Sequence, residues 1–365
     1  MSICLPPSFT PSFTLAIPTW NGAARLPQVF DCLGAQVGTA ELAWEILIVD
    51  NNSSDATAAV VRQLQADWAE TELGRRVPLR YCFEPRAGLA FARQRAVGEA
   101  EGAWVGFVDD DNWPEPGWVA AAIAFAHRNP DLGAFGSRIH PAYGAVPPED
   151  FHQIEAFLAV RDHGEAHQFD PDQLQLPAGA GMVVHRQRWL DSVPESLDLV
   201  GRTADLMISG DDYAALLYLH RAGHGIAYNP AMVMRHAIPA QRLEPAYLLP
   251  LAYGIGLAIC QLRFINARGL GRAAIALRTL VGGLRRMAYL LWCHGFSLGQ
   301  NLNHCFYFCF FLGGALSPLL ALSPRWGSWL KFQRIQALTT LWPLSQLLSR
   351  PTTPPPPSPA PWTLF

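Results

Sequence analysis

The sequence predicts an α/β fold, a mostly parallel central sheet flanked by helices, with a helical, membrane-associating C-terminal region. Three observations predict it. Short, nearly all-apolar runs alternate with helical stretches from Phe13 to Val108, and strands lacking a polar face belong to sheets covered on both sides. Each run ends in polar residues, which such a sheet places outside the carboxyl ends of its strands, where open α/β sheets hold ligands. Charge then divides the chain. No Asp or Glu follows Glu244, so the last 121 residues carry about +10 and the first 244 about −13, within a net charge of −3.

Phe13–Ile17 is the first strand; Pro18-Thr-Trp-Asn-Gly22 turns into a helix over about Ala23–Ala35. Glu45–Val49, the second strand, runs into Asp50-Asn-Asn-Ser-Ser-Asp55. Ser54 or Asp55 suits the cap of a helix through about Ala69. Leu79–Phe83 is the third strand, followed by Glu84-Pro-Arg-Ala-Gly88 and a helix from Leu89 to Ala100. Trp104–Val108, the fourth, ends in Asp109-Asp-Asp-Asn112. Pro18, Thr19, Asn21, Asp50, Asn51, Arg86 and the acid triplet are therefore expected on one rim. Further on, Gly133–Arg138 reads as a strand and Phe151–Ala159 as a short helix. Gly179-Ala-Gly181 allows a close backbone approach or is a plain loop, and Val183–His185 is apolar. Ser209-Gly-Asp-Asp-Tyr213 opens a helix through about Ala222; Ile226–Tyr228 and Ala231–Met234 read as edge strands before His236.

Three adjacent acids after a buried strand repel one another and resist desolvation. A divalent cation, Mg²⁺ or Mn²⁺, relieves both and commonly joins one or two carboxylates to substrate phosphates. A solvated acidic turn capping the next helix is the competing reading. Asp50 suits a base or ribose contact, or simply a cap. Asp211 and Asp212 suit a helix N-terminus for dipole reasons alone, or one of them is a general base. His236, following directly on the last strand, is a candidate ligand beside the acids. The first strand is not followed by spaced glycines, and there is no GxxxxGK[ST] loop, so a Rossmann fingerprint and a P-loop are excluded. The seven cysteines are scattered without metal spacing, which argues against a disulfide framework. With no apolar leader visible, the N-terminal part is expected in a reducing, cytoplasmic setting.

Together the motifs resemble an inverting family-2 glycosyltransferase of the GT-A fold. The carriers are Ile-Pro-Thr-Trp-Asn-Gly22, Ile-Val-Asp-Asn-Asn-Ser-Ser-Asp55, Gly88 with Ala92-Arg93, Phe-Val-Asp-Asp-Asp-Asn112, Gly-Ala-Gly-Met182, Gly-Asp-Asp-Tyr213, Tyr-Asn-Pro230 and His236. They occur in the family's order over roughly residues 12–250. Gly-Phe-Val-Asp-Asp-Asp-Asn-Trp-Pro114, Gly-Ala-Phe-Gly-Ser-Arg-Ile-His140 and Ala-Ile-Pro-Ala-Gln-Arg-Leu-Glu244 are similar to cyanobacterial enzymes assigned to hormogonium polysaccharide synthesis. The resemblance implies nucleotide-sugar contacts from Pro18, Thr19, Asn21, Asp50, Asn51, Arg86, Arg93, Asp109 and Asp110. It implies a metal held by Asp109, Asp111 and His236 in a DXD motif, with Asp212 as base and Asp211 beside it. The family often has Glu-Asp where this chain has Asp211-Asp212, which blurs which acid is the base. A UDP-sugar donor and a glycan or lipid-linked acceptor are implied; no nucleic-acid partner is expected.

Residues 287–324 carry no Asp, Glu, Lys or Arg, and Cys305–Leu322 is almost continuously apolar, close to the lower limit for a span. Before it, Arg263, Arg268, Arg272, Arg278, Arg285 and Arg286 interleave with Leu, Ile and Ala, as in segments that favour an anionic membrane surface. A helical subdomain packed on the core is the alternative. The expected organisation is a catalytic domain over 1–247, a basic and apolar membrane-associating region over 248–350, and a Pro-rich disordered tail over 351–365, at the cytoplasmic face of the cell membrane. Two other functions compete with sugar transfer. One is a catalytically inactive binding or scaffold subunit, and the other a nucleotidyltransferase.

Overall fold

The computed structural model describes residues 11–197, 199 and 207–322; the Pro-rich tail and the end of the 248–350 region lie outside them. The first compact unit comprises residues up to Ala142, Ala159–Val200 and Asp211–Ala237. Its strands are β1 (Phe13–Thr19), β2 (Trp44–Asp50), β3 (Leu79–Phe83), β4 (Trp104–Phe107), β5 (Asn112–Pro114), β6 (Leu132–Tyr143), β7 (His167–Gln168), β8 (Val183–His185) and β9 (Gly225–Ile238). They form one sheet in the order β3-β2-β1-β4-β8-β6-β9-β5, with β7 against β9. β3, β2, β1 and β4 run parallel, the centre that the alternation predicts. β8 joins β4 antiparallel, and β6, β5 and β7 continue antiparallel.

β1 and β2 are buried along their whole length, as their composition requires. β3 is the edge strand and leaves Tyr81 and Phe83 exposed. Helices α1 (Leu26–Gly34), α2 (Thr57–Glu70), α3 (Leu89–Glu99) and α4 (Trp118–Arg128) follow β1, β2, β3 and β5. α1 buries Leu26, Val29, Phe30 and Leu33, the single stripe that a 3.6-residue period produces. The N-cap of α2 is Ala56, not Ser54 or Asp55; Asp55, one residue earlier, accepts from the Thr57 amide at 2.9 Å. α5 (Arg186–Ser192) and α6 (Asp211–Arg221) complete the unit.

Two readings of the sequence are corrected. The expected pair of edge strands at 226–234 is one continuous strand, β9, lying inside the sheet. Pro230 lies within it beside exposed Ala231, where its missing N–H is tolerated. The helix expected at Phe151–Ala159 is a pair of short 3₁₀ turns, Phe151–Gln153 and Glu155–Leu158.

The second unit comprises Tyr143–Leu158, Gly201–Gly210 and the chain from Ile238. Its main elements are helices α7 (Pro245–Ile265), α8 (Leu270–His294) and α9 (Leu302–Leu322). α7 and α9 meet backbone to backbone: a Cβ on Gly256 would stand 2.2 Å from the Phe310 carbonyl oxygen, and one on Gly313 2.2 Å from that of Tyr253. Both helices are long and apolar enough to cross a membrane by length and composition. The sequence reading anticipated only the second of them.

Candidate active site

β1, β2 and β4 end side by side, so their terminal residues share one rim. Thr19 pairs with Asp50 in the parallel register, and the Thr19 hydroxyl donates to Asp110 Oδ2 at 2.5 Å. The three consecutive acids have different partners. Asp110 is buried and held by Arg25, whose Nε and Nη2 donate at 2.9 and 2.8 Å. Its charge is thereby spent inside the protein.

Asp109 is different. Its Oδ1 is buried without a hydrogen-bond partner; the nearest cation is Arg93, 3.7 Å away. Burial above all, then the charges of Asp111, Asp110 and Asp211, push its pKa up to about 7 against the pull of Arg93. Asp111 Oδ1 accepts from Asn112 Nδ2 at 2.9 Å and lies 3.5 Å from His236 Nδ1. The antiparallel register of β5 and β9 sets Asn112 opposite His236, so the strand pairing itself brings this buried histidine to the acids. Asn112 Oδ1 accepts from His236 Nδ1 at 3.2 Å, so Nδ1 carries a proton.

Arg93 joins this group to the second acid pair. It is buried on α3, and its Nη1 donates to Asp211 Oδ2 at 2.8 Å. Burial opposes its charge, but Asp211, Asp109 and Asp212 outweigh that and hold its pKa above the ordinary value. Asp211 is thus buried in an ion pair. Asp212 is half-buried and accepts only backbone N–H groups in the bonds seen, from Gly179 at 2.8 Å and Tyr213 at 2.9 Å. The small-residue loop before β8 has its reason here. A Cβ on Gly179 would stand 2.5 Å from Arg93 Nη2 and 2.9 Å from Asp212 Oδ2. The two acids that the sequence left interchangeable are distinct in structure.

The remaining candidates build the rim and do not point into it as a group. Pro18 is buried in β1 opposite Val49. Asn51 donates to the carbonyls of Glu84 and Arg86 and accepts from the Gly88 amide, so its amide shapes the β3–α3 loop. Arg86 turns to Glu84 at 2.8 Å and lies over the Phe91 ring, away from the acids. Asn21 adopts φ 50° and accepts from the Ser54 amide. Asp50 is buried and accepts from Ser53 N and Tyr81 Oη, both at 2.9 Å. Burial and that bond push the Tyr81 phenol up to about 12, so it stays a donor. Arg25 and Tyr81 were missed from the sequence; neither has a spacing that would have found it.

Among the described residues no three His, Cys, Asp or Glu side chains are grouped so as to hold a metal ion by themselves. The donor set at the rim still fits a hard divalent cation, because the orphaned Asp109 oxygen and its raised pKa mark a place short of positive charge. Such ions take much of their coordination from phosphate and water.

Residues 14–187 match the Glycosyl transferase family 2 model. The chain carries a family 2 glycosyltransferase domain. The match ends before Asp211, Asp212 and His236, which the fold brings to the same rim. A glucosyl-dolichyl phosphate glucuronosyltransferase of Haloferax volcanii is 22% identical over 173 residues, 46% of this chain and 54% of the relative. Succinoglycan biosynthesis protein ExoM of Rhizobium meliloti is 22% identical over 236 residues, 62% of this chain and 68% of the relative. The chain thus spans about half the length of the first of these relatives. The mannosyltransferase PcManGT from Pyrobaculum calidifontis, solved in complex with GDP-Man and Mn²⁺, covers 89% of this chain and 90% of its own at 19% identity and TM-score 0.54. That likeness shows the fold of the family 2 domain to be GT-A.

Proposed function

We propose that this protein is a metal-dependent, inverting glycosyltransferase that moves a sugar from a nucleotide-diphosphate sugar to a hydroxyl of a polysaccharide or lipid-linked glycan. The observation that carries the reading is the division of labour among the five acids. Asp110 and Asp211 are each held by an arginine at 2.8 Å, Arg25 and Arg93, and we assign the chemistry to Asp109, Asp111 and Asp212. Asp109 and Asp111, with His236, would hold Mg²⁺ or Mn²⁺. When bound, the cation neutralises the diphosphate leaving group as a Lewis acid.

Asp212 takes the proton of the acceptor hydroxyl as that oxygen attacks the anomeric carbon. The two backbone amides hold Asp212 oriented for this. One base and one displacement invert the anomeric centre, and a base of this kind supplies on the order of 10²–10⁴-fold. Asp50 and Thr19 form the floor on which the nucleotide sits. UDP is the first nucleotide to test, beside GDP, which the Pyrobaculum enzyme binds as GDP-Man. We assign the chemistry to residues 1–247, and association with the cytoplasmic face of the membrane to 248–350, where α8 and α9 lie. The inactive-scaffold reading is disfavoured because every acid the chemistry needs is in place.

Titration calorimetry of the purified protein against UDP and GDP, with and without Mn²⁺, tests the reading. Binding of one nucleotide that requires Mn²⁺ and disappears in Asp111→Ala is expected. Folded protein that binds neither nucleotide, with lipid present, would overturn it.

A further inference from the structure

Helices α7, α8 and α9 enclose a groove of about 530 Å³ lined by Ile259 and Arg263 from α7, eight residues of α8 between Leu277 and Arg286, and Phe310, Phe311 and Gly314 from α9. Its volume is that of a small-molecule site. Its lining is unusual in combining aromatic and aliphatic walls with four arginines, Arg263, Arg278, Arg285 and Arg286. The chain supplies no carboxylate after Glu244, and among the described residues none of the four enters an ion pair. Arg286 lies over the Phe311 ring at 5.6 Å. Its own burial, then Arg285 and Arg263, hold its pKa below the ordinary value. Cations crowded in this way against an apolar wall lack an anion.

The surface beside the groove shows what kind of anion. α8 buries only Gly283. There a Cβ would stand 2.9 Å from the Ala315 Cβ, so α8 is pressed onto α9 at one small residue. Beyond the groove its apolar side faces outward: Leu284, Tyr289 and Trp292 are all more than half exposed. A soluble phosphate would explain the arginines but neither the apolar wall nor this face. A phospholipid explains all three.

We propose that the α7–α8–α9 groove binds one anionic phospholipid of the membrane, its phosphate on the arginines and an acyl chain along Ile259, Leu277, Phe310 and Phe311. The proposal rests on the membrane reading of this unit but not on sugar transfer, and its test needs no bilayer.

The test is titration of the full chain with dioctanoylphosphatidylglycerol below its micelle concentration, followed by tryptophan fluorescence. Two variants probe the groove, Arg263→Gln with Arg286→Gln, and Gly282→Leu, which fills it without changing charge. A Cβ on Gly282 meets only the flexible end of Arg286, at 3.3 Å, so this second variant should fold even if the first does not. The control pair Arg268→Gln with Arg272→Gln removes the same charge outside the groove. Expected is one-to-one binding at least tenfold tighter than to dioctanoylphosphatidylcholine. Both groove variants should weaken it tenfold or more, and the control pair less than twofold. Equal weakening by the control pair would reduce the effect to diffuse charge and overturn the proposal. So would equal affinity for inorganic phosphate, or a preference for a short isoprenyl phosphate over the phospholipid. Because the readout is lipid binding, its failure leaves the nucleotide titration of the rim untouched.

Discussion

The carboxylate rim of the first unit and the helical second unit each gather like charges, and they handle the repulsion differently. At the rim, two of five acids are matched by an arginine within 3 Å, Asp110 by Arg25 and Asp211 by Arg93. Arg93 stands farther from Asp109, at 3.7 Å. In the helical unit no carboxylate follows Glu244, and among the described residues none of the four groove arginines enters an ion pair, Arg286 lying instead over the Phe311 ring. A partly compensated cluster selects which groups remain available for chemistry. An uncompensated one makes a field without choosing among its members, as suits binding. The comparison makes Arg93 the hinge of the first unit's logic, since it touches both acid groups.

The largest expected effect separates Asp212 from Asp211. Asp212→Asn should lower kcat by about 10²–10⁴-fold with Mn²⁺-dependent nucleotide binding kept. Turnover assays with the donor that the titration identifies would read this. Asp211→Asn should instead lower the melting temperature, because it leaves Arg93 buried with a weakened partner. Equal loss of turnover at unchanged stability in both variants would break the distinction.

Arg93→Met should be next. It strands Asp109 and Asp211 without their shared cation, and breaking a buried pair costs about 3–5 kcal/mol. Pairing it with Asp211→Leu should recover part of that loss in denaturant midpoints. If the double variant is no better than the single one, Arg93 acts through packing against Phe107, whose ring lies 5.8 Å away, and not through charge.

Asp109→Asn should have a smaller effect of opposite sign. The native carboxyl is raised to about 7, against an ordinary 3.8. Between those values the unfolded chain has released a proton that the folded chain keeps, so metal-free stability falls as pH rises to about 7 and then levels. The variant should therefore melt higher than wild type at pH 8 without metal. A gain of about 1 kcal/mol corresponds to roughly 2–4 °C. Mn²⁺ should stabilise wild type and not the variant. A variant that melts lower at pH 8 would mean that the Asp109 carboxylate is already satisfied in the metal-free fold.

How much of this was legible in the sequence follows from the range of the interactions. The parallel strands were readable because burial on both faces imposes an all-apolar run, a local signature. The order of the acids, and the sharing of a rim by β1, β2 and β4, followed from the same topology. The partner of Asp110 was not readable, because Arg25 stands 85 residues earlier at the foot of a helix, where an arginine is ordinary. His236 could be named as a candidate, but its approach to Asp111 depends on the β5–β9 register, and antiparallel pairing across 124 residues leaves no periodic trace. The first of the two apolar helices, α7, was hidden because Pro250 and the start of the arginine series interrupt its composition.

The smallest effect tests whether the rim alone governs how the first unit responds to pH. His163 packs edge-on against Phe169 and Tyr228, with ring centroids 5.5 and 5.0 Å away. Burial first, then Arg161 and His167, lower its pKa to about 4 from an ordinary 6.5. Between pH 6.5 and 4 the unfolded chain binds a proton that the folded chain refuses, so this group removes stability as pH falls, the reverse of Asp109. The residue is half-buried, so solvent screening should leave less than about 1 kcal/mol. His163→Phe keeps an aromatic ring and removes the proton. Urea midpoints measured from pH 7 to 4.5 should fall less steeply in the variant than in wild type, and the two should converge at pH 7.5. Parallel curves would assign the acid sensitivity of this unit to its carboxylates alone.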